Sequence, residues 1–342
     1  MRLFQIPLLV LISLVSIKAQ NTFKNFDVFD LEYVQNPQIS PDGNRVVYVR
    51  TEMDIMKDGK SSSLWLINSD GTDHQKLTSN TFNESNPSWS PDGKKISFIS
   101  NSNDGNGSEI YIYWIDSKQY SSISQLSGSP KSTKWSPDGR YIGFSMFVPE
   151  STLQLVSPPR KPKNAKWAEK PRITDRLKHE SDGFGYMKEG FDQLFYISSE
   201  GGTPVKITSE KYNHRSFDWT HNSNGLVFSS NYNEEWEYDF RNSELYSIDI
   251  DGKNINQLTN RNGPDYGPIV SPNGKLIAFL GYDDKIQTYQ TTNLYIMDID
   301  GGNKKEIKTN LDRSISSIKW SDDGKRIFFM YDNHGNTKIA TS

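Results

Sequence analysis

Hydrolysis at a serine needs a hydroxyl held out on a sharp strand-to-helix turn, with backbone amides aimed at the oxyanion; its sequence mark is Gly-x-Ser-x-Gly. No such pentapeptide occurs in the 342 residues. Ser108 after Gly107 comes nearest, and the Glu109-Ile110-Tyr111 that follows reads as a strand. A serine triad also needs a histidine within reach. His74, His179, His214, His221 and His334 all fall in segments read as turns or loops, none at metal-ligand spacing from another, so solvated loop histidines are expected. With no cysteine, thiol catalysis, thiolate-bound metal and disulfides are excluded. Asp249-Ile250-Asp251-Gly252 and Asp298-Ile299-Asp300-Gly301 carry the first residues of a calcium loop without its later carboxylates or closing glutamate, and read as hairpins. No motif calls for a cofactor. Two stretches keep a possible binding role. Glu234-Glu235, followed by Trp236, Glu237 and Tyr238, could pair with an ammonium group. Lys161, Lys163, Lys166, Lys170, Arg172, Arg176 and Lys178 interleave with Trp167 and Phe184, a mixture that can hold single-stranded nucleic acid or line an interface. The net charge of −3 argues against nucleic acid as a partner.

The elements that would position these residues come from a repeat. Gln38-Ile39-Ser40-Pro41-Asp42-Gly43 returns as Ser88-Trp89-Ser90-Pro91-Asp92-Gly93, Lys134-Trp135-Ser136-Pro137-Asp138-Gly139, the degenerate Asp218-Trp219-Thr220-His221-Asn222-Ser223, Ile269-Val270-Ser271-Pro272-Asn273-Gly274 and Lys319-Trp320-Ser321-Asp322-Asp323-Gly324. Nine residues after each Ile, Trp or Val stands an aromatic: Tyr48, Phe98, Phe144, Phe228, Phe279 and Phe329. Ser-Pro-Asp-Gly is a tight turn: proline presets the backbone, aspartate bonds neighbouring amides, and glycine accepts positive φ. An apolar strand follows each turn, then a third strand such as Leu64–Ile67, Ile110–Tyr113 or Leu294–Met297. A fourth ends at Leu77-Thr78, Leu126-Ser127, Ile207-Thr208, Leu258-Thr259 and Ile307.

Four antiparallel strands per period of about fifty residues is a β-propeller blade. The expected fold is all-β: about six blades starting near residues 37, 87, 133, 217, 268 and 318, the last ending within its third strand at Asn336–Thr341. In such a meander the first and third turns share one end, the second turn and the inter-blade link the other. The second turns are long: Thr51–Ser63, Asn101–Ser108, the insertion Phe147–Gly190, Asn231–Asn242 and Tyr282–Thr292. Insertions gathered on one face mark a binding face.

Residues 1–20 read as a secretory signal: Arg2, an apolar Leu8–Ile17 and the small Ala19. The mature domain is then 21–342, exported to a periplasmic or extracellular space, with no integral membrane segment after cleavage.

Phe26-Asp27-Val28-Phe29-Asp30-Leu31, Val34 and Pro37 to Val49 resemble the opening of the prolyl oligopeptidase family of serine peptidases, in its acylaminoacyl-peptidase and bacterial dipeptidyl-peptidase branch. Lys170 to Lys178, Asp182 to Tyr186, Gln193 to Ile197 and Gly201 to Thr208 carry the resemblance further. It implies an N-terminal propeller that gates short peptides into the chamber of an α/β-hydrolase domain, the serine, aspartate and histidine lying in that domain and not in this chain. The implied partners are a peptide substrate, such a hydrolase domain or other proteins. It also implies that propeller acids hold a substrate's amino terminus, with Glu234 and Glu235 the candidates here. Two alternatives stand beside it. One is a stand-alone TolB-type propeller that binds proteins, its ring closed by Thr22–Val34 completing the last blade. The other is a sugar- or nucleotide-processing propeller, which would need acids or histidines converging on the first strands; those strands read as mostly hydrophobic or Ser/Thr.

Overall fold

The computed structural model describes residues 22–79, 83–101, 107–151, 159–168 and 173–342. It is a six-bladed propeller. Blade 1 contains strands Glu32–Ile39, Arg45–Asp54, Gly59–Asn68 and Gln75–Lys76; blade 2, Ser85–Trp89, Lys95–Asn101, Ser108–Trp114 and Gln119–Ser122; blade 3, Pro130–Trp135, Tyr141–Pro149, Gly190–Ser198 and Val205–Lys206. Blade 4 contains His214–Trp219, Gly225–Ser230, Glu244–Asp249 and Asn256–Gln257; blade 5, Asp265–Val270, Leu276–Gly281, Asn293–Asp298 and Lys305–Glu306; blade 6, Ile315–Trp320, Ile327–Asn333 and Asn336–Thr341. Every blade is an antiparallel meander in chain order.

Each blade starts a few residues earlier than the repeat indicates, because every first strand is broken by a bulge three residues before its Trp, Ile or Val position. Asn36, Asn86, Ser132, Gly267 and Ser317 take positive φ at five of the bulges. Three further expectations are corrected. Thr51–Ser63 is not a loop: strand pairing continues to Asp54↔Gly59. The fourth strand of blade 2 closes at Ile123-Ser124 rather than Leu126-Ser127, since Ile123 N–H donates to Ile110 O as Leu77 N–H does to Leu64 O. Residues 22–34 do not complete the last blade. They form a 3-10 turn, Asn25–Asp30, against the second strand of blade 1, then enter its first strand.

The core is a series of inter-blade layers, because neighbouring residues on a second strand face opposite sides of the sheet. Val227 packs toward blade 5 with Ile277 and Phe279, while Phe228 packs within blade 4 against the blade 3 side with Leu194, Phe217 and Trp219. The repeat aromatics Phe98, Phe144, Phe228, Phe279 and Phe329 are all buried. The repeat motif holds blades as well as turning the chain. Trp89, Trp135, Trp219 and Trp320 each donate the indole N–H to a carbonyl of the preceding blade's first strand: Gln38, Ser88, Lys134 and Ile269, at 3.0–3.1 Å. Blade 5 has Val270 in that position, and Asp218 and Ser216 of blade 4 accept its backbone N–H groups instead. Gly143 leaves room for the approach of blade 4; a Cβ there would stand 2.9 Å from Phe217. Blades 6 and 1 share no apolar cluster among the described residues, and Val34, Ile39, Phe328 and Ile339 are exposed.

Candidate functional site on the long-loop face

The second-to-third strand connections gather at one end of the blades. Their exposed apolar side chains include Ile55 and Met56 of blade 1, Phe184 and Tyr186 of blade 3, Tyr238 and Phe240 of blade 4, and Ile286 and Tyr289 of blade 5. Scattered exposed hydrophobics are ordinary; this many, repeated on equivalent loops, mark a face suited to being covered.

Arg176 organises the blade 3 insertion. Its guanidinium donates to Gly190 O at 3.3 Å and Glu150 Oε2 at 3.2 Å, lies 4.4 Å from the Phe191 ring and reaches Trp236 of blade 4 at 5.8 Å. Lys211, from the link to blade 4, pairs with the other Glu150 oxygen at 3.1 Å. Among the basic residues of this stretch, Lys170 and Arg172 lie outside the described residues, Lys161, Lys163, Lys166 and Lys178 are exposed, and Arg176 alone is turned inward.

Glu234 and Glu235 are exposed in the blade 4 loop, and neither makes an ion pair among the described residues. The loop is compact: Asp239 accepts from Asn231, Asn233 and Asn242, and Asp239 N–H donates to Glu235 O. It forms one wall of a polar pocket of about 440 Å³ between blade 4 and its link to blade 5, lined by Asn231, Tyr232, Glu244, Tyr246, Gln257 and Arg261 among others.

Two features of this pocket escaped sequence reading. The first is His214, which is no loop histidine: it opens the first strand of blade 4 and is fully buried. Its Nδ1 lies 3.3 Å from Asp192 O and its Nε2 2.8 Å from the Tyr232 hydroxyl, so the imidazole donates to the carbonyl and accepts from the phenol. Burial lowers its pKa to about 4, against the pull of Glu210. Burial also raises the Tyr232 and Tyr246 phenols, Tyr246 to about 12. Asp265 opens the first strand of blade 5 as His214 opens that of blade 4, and Glu84 stands one residue before the first strand of blade 2, so titratable groups do sit where first strands begin. Each is buried, with Asp265 paired to Arg261, and they do not form the open constellation a sugar- or nucleotide-processing centre needs. The other four histidines are exposed as expected, though His74 bonds the Tyr48 hydroxyl.

The second feature is a clasp found in three blades. A residue near the start of the third strand bonds a hydroxyl fifteen positions on and the backbone two further. Glu109 accepts from the Ser124 hydroxyl and Leu126 N–H. Gln193 accepts from the Thr208 hydroxyl at 2.7 Å and donates to Glu210 O at 2.8 Å. Glu244 accepts from the Thr259 hydroxyl and Arg261 N–H. A recurring Glu/Gln to Ser/Thr spacing of fifteen was the available signal. Burial lifts the Glu244 carboxyl to about 7. Beside it Arg261 pairs with buried Asp265, approaches Asp283 at 3.6 Å and stacks 4.2 Å from the Tyr295 ring. Gly281 is required here, since a Cβ would overlap both partners of the Arg261–Asp265 pair. The Asp-x-Asp-Gly stretches are hairpins, with Asn254 and Asn303 donating to Asp249 and Asp298. Among the described residues no three histidine or carboxylate groups are placed to hold a metal, and no helix is long and apolar enough to cross a membrane.

Residues 10–155 match the family model described as TolB beta propeller domain, and residues 147–285 the model described as dipeptidyl peptidase IV N-terminal region. Dipeptidyl-peptidase 5 of Porphyromonas gingivalis is 26% identical over 333 residues, covering 90% of this chain and 46% of that protein. This chain is a β-propeller similar to TolB propellers over its first part and to the N-terminal region of dipeptidyl peptidase IV over its middle. The fold agrees. Acylaminoacyl peptidase of Pyrococcus horikoshii superposes with a TM-score of 0.71 at 19% identity, over 92% of this chain and 45% of that one. The β-propeller domain of the Trilobed protease from Pyrococcus furiosus, described as having an open velcro topology, gives 0.62 at 18% identity, over 91% and 81%. The chain spans less than half the length of that dipeptidyl-peptidase. The polar pocket and both acidic residues fall inside the dipeptidyl peptidase IV match.

Proposed function

We infer that this propeller gates short peptides into an exported serine peptidase, with its long-loop face set against an α/β-hydrolase domain. The observation that carries this reading is the combination of relatedness to a dipeptidyl-peptidase along 90% of the chain with a single face bearing the insertion, the exposed apolar loops and the unpaired acids. Glu234 and Glu235 are the groups to hold a peptide's ammonium, since charge-assisted bonds to a carboxylate are strong and neither makes an ion pair among the described residues. Export is supported by the signal-like residues 1–20, which lie outside the described residues.

The test is an antibody against the propeller, applied to periplasmic, secreted and cytoplasmic fractions of the native cell after labelling with a fluorophosphonate serine probe. The reading expects an exported, labelled species, either one longer polypeptide or a tight complex. With that enzyme, Glu235→Ala raises KM for a free-amine dipeptide substrate about tenfold and leaves an N-acetylated one unchanged. An exported propeller that never coincides with a labelled serine would favour the second reading, a TolB-type protein-binding module, which the match of residues 10–155 supports.

A further inference from the structure

The pocket beside Glu244 is rich in acceptors, and the cations that act on Glu244 through space, Lys304 and Arg261, form no ion pair with it among the described residues. Tyr232 gives its hydroxyl proton to His214, leaving its oxygen only lone pairs. Asn231, Asn233 and Asn242 donate back into their own loop at Asp239, and Gln257 donates to Thr259 O at 2.8 Å. Arg261 is the one cation among the lining residues, and Asp265 and Asp283 both answer it. Glu244, only 8% exposed yet part of the pocket wall, makes no ion pair among the described residues. Tyr232 and Tyr246 stand edge to face at 4.6 Å beside it, and aromatic faces attract cations.

We propose that this pocket binds an alkylammonium group of the kind a lysine side chain carries, with Glu244 as its counter-ion and Tyr232 and Tyr246 as its walls. The site differs from the Glu234–Glu235 pair and needs no hydrolase domain, so it can stand or fall apart from the peptidase reading. The repeat itself supplies the control. Gln193 fills the Glu244 position in blade 3 and keeps the clasp to its own threonine, so Glu244→Gln removes the charge and retains the bond that holds the strand to the link.

The experiment titrates the chain with Nα-acetyl-lysinamide and its neutral isostere Nα-acetyl-norleucinamide, followed by NMR or calorimetry. The lysine derivative binds at least about tenfold more tightly than the norleucine one, and Glu244→Gln removes that margin, as expected for loss of a charge-assisted bond. Tyr232→Phe, which keeps the ring and removes the oxygen, weakens the lysine derivative about threefold; it decides the matter if the glutamine variant does not fold. Cadaverine separates the sources: binding equal to the lysine derivative assigns a free polyamine, weaker binding a peptide side chain. Equal binding of the two amides to the unaltered chain, or undiminished preference in both variants, overturns the proposal.

Discussion

The two ends of the blades contrast sharply. At the short-turn end the same contacts recur: Ser40, Ser90, Ser136 and Ser321 each donate to the aspartate two residues on, at 2.5–2.6 Å. Pro41, Pro91 and Pro272 pack under the turn glycine of the next blade. Where blade 4 has Ser223 for glycine, its hydroxyl accepts from Asp138 N–H of blade 3, and the turn survives with positive φ. At the long-loop end no two loops share length or chemistry, and the exposed aromatics, the insertion, the unpaired acids and the polar pocket are found there. A repeated contact must satisfy two neighbouring blades at once, so change at one blade is resisted by the next. The loops answer only to what covers them.

That contrast can be broken most directly at equal chemistry. Phe228→Ala, inside an inter-blade layer, should cost about 3–5 kcal/mol of unfolding free energy, whereas Phe184→Ala on the long-loop face should stay within about 0.5 kcal/mol. Denaturant midpoints of the two variants check this, and similar losses would mean that the insertion is part of the core.

A smaller effect sharpens it through pH. His214, with its pKa lowered from near 6.5 to about 4, leaves the folded state binding fewer protons than the unfolded chain, so its contribution is complete above pH 6.5 and is lost as pH falls toward 4. Glu84, lifted by burial from near 4.5 to about 7, acts oppositely: its contribution is complete below pH 4.5 and is lost as pH rises through 7. Glu84→Gln should therefore raise the melting temperature at pH 8 relative to pH 5, and His214→Phe should flatten the acid limb. Melting curves that keep the unaltered pH profile in both variants would place these groups in water.

The smallest expected effect on stability is at Arg176→Ala, about 1 kcal/mol or less, yet limited proteolysis should now cut between residues 150 and 190 while the blades stay intact. Unchanged protection would show that the insertion is held by other contacts.

Much of this was legible in one sequence because propeller repeats write their contacts at a fixed spacing. The Ser-Pro-Asp-Gly turns, the buried aromatics and the closing strand Asn336–Thr341 all stand where the period placed them. The bulges were not legible, since a residue of positive φ can be Asn, Ser or Gly and leaves the hydrophobic pattern unbroken. His214 was misread because its partners lie 18 and 22 positions away, in the loop after the next strand and in another blade.

The sequence by itself determined the architecture: turn chemistry and strand pattern are local, and six copies of one local rule leave a propeller as the way to bury both faces of each sheet. Tertiary structure alone decided the environment of each polar group. Glu109 and Glu244 hold the same clasp in the same repeat position, yet Glu109 is half-buried while Glu244 is buried, its carboxyl lifted to about 7. Desolvation depends on what neighbouring blades and loops bring alongside, and that is a property of packing that no spacing within a single repeat records.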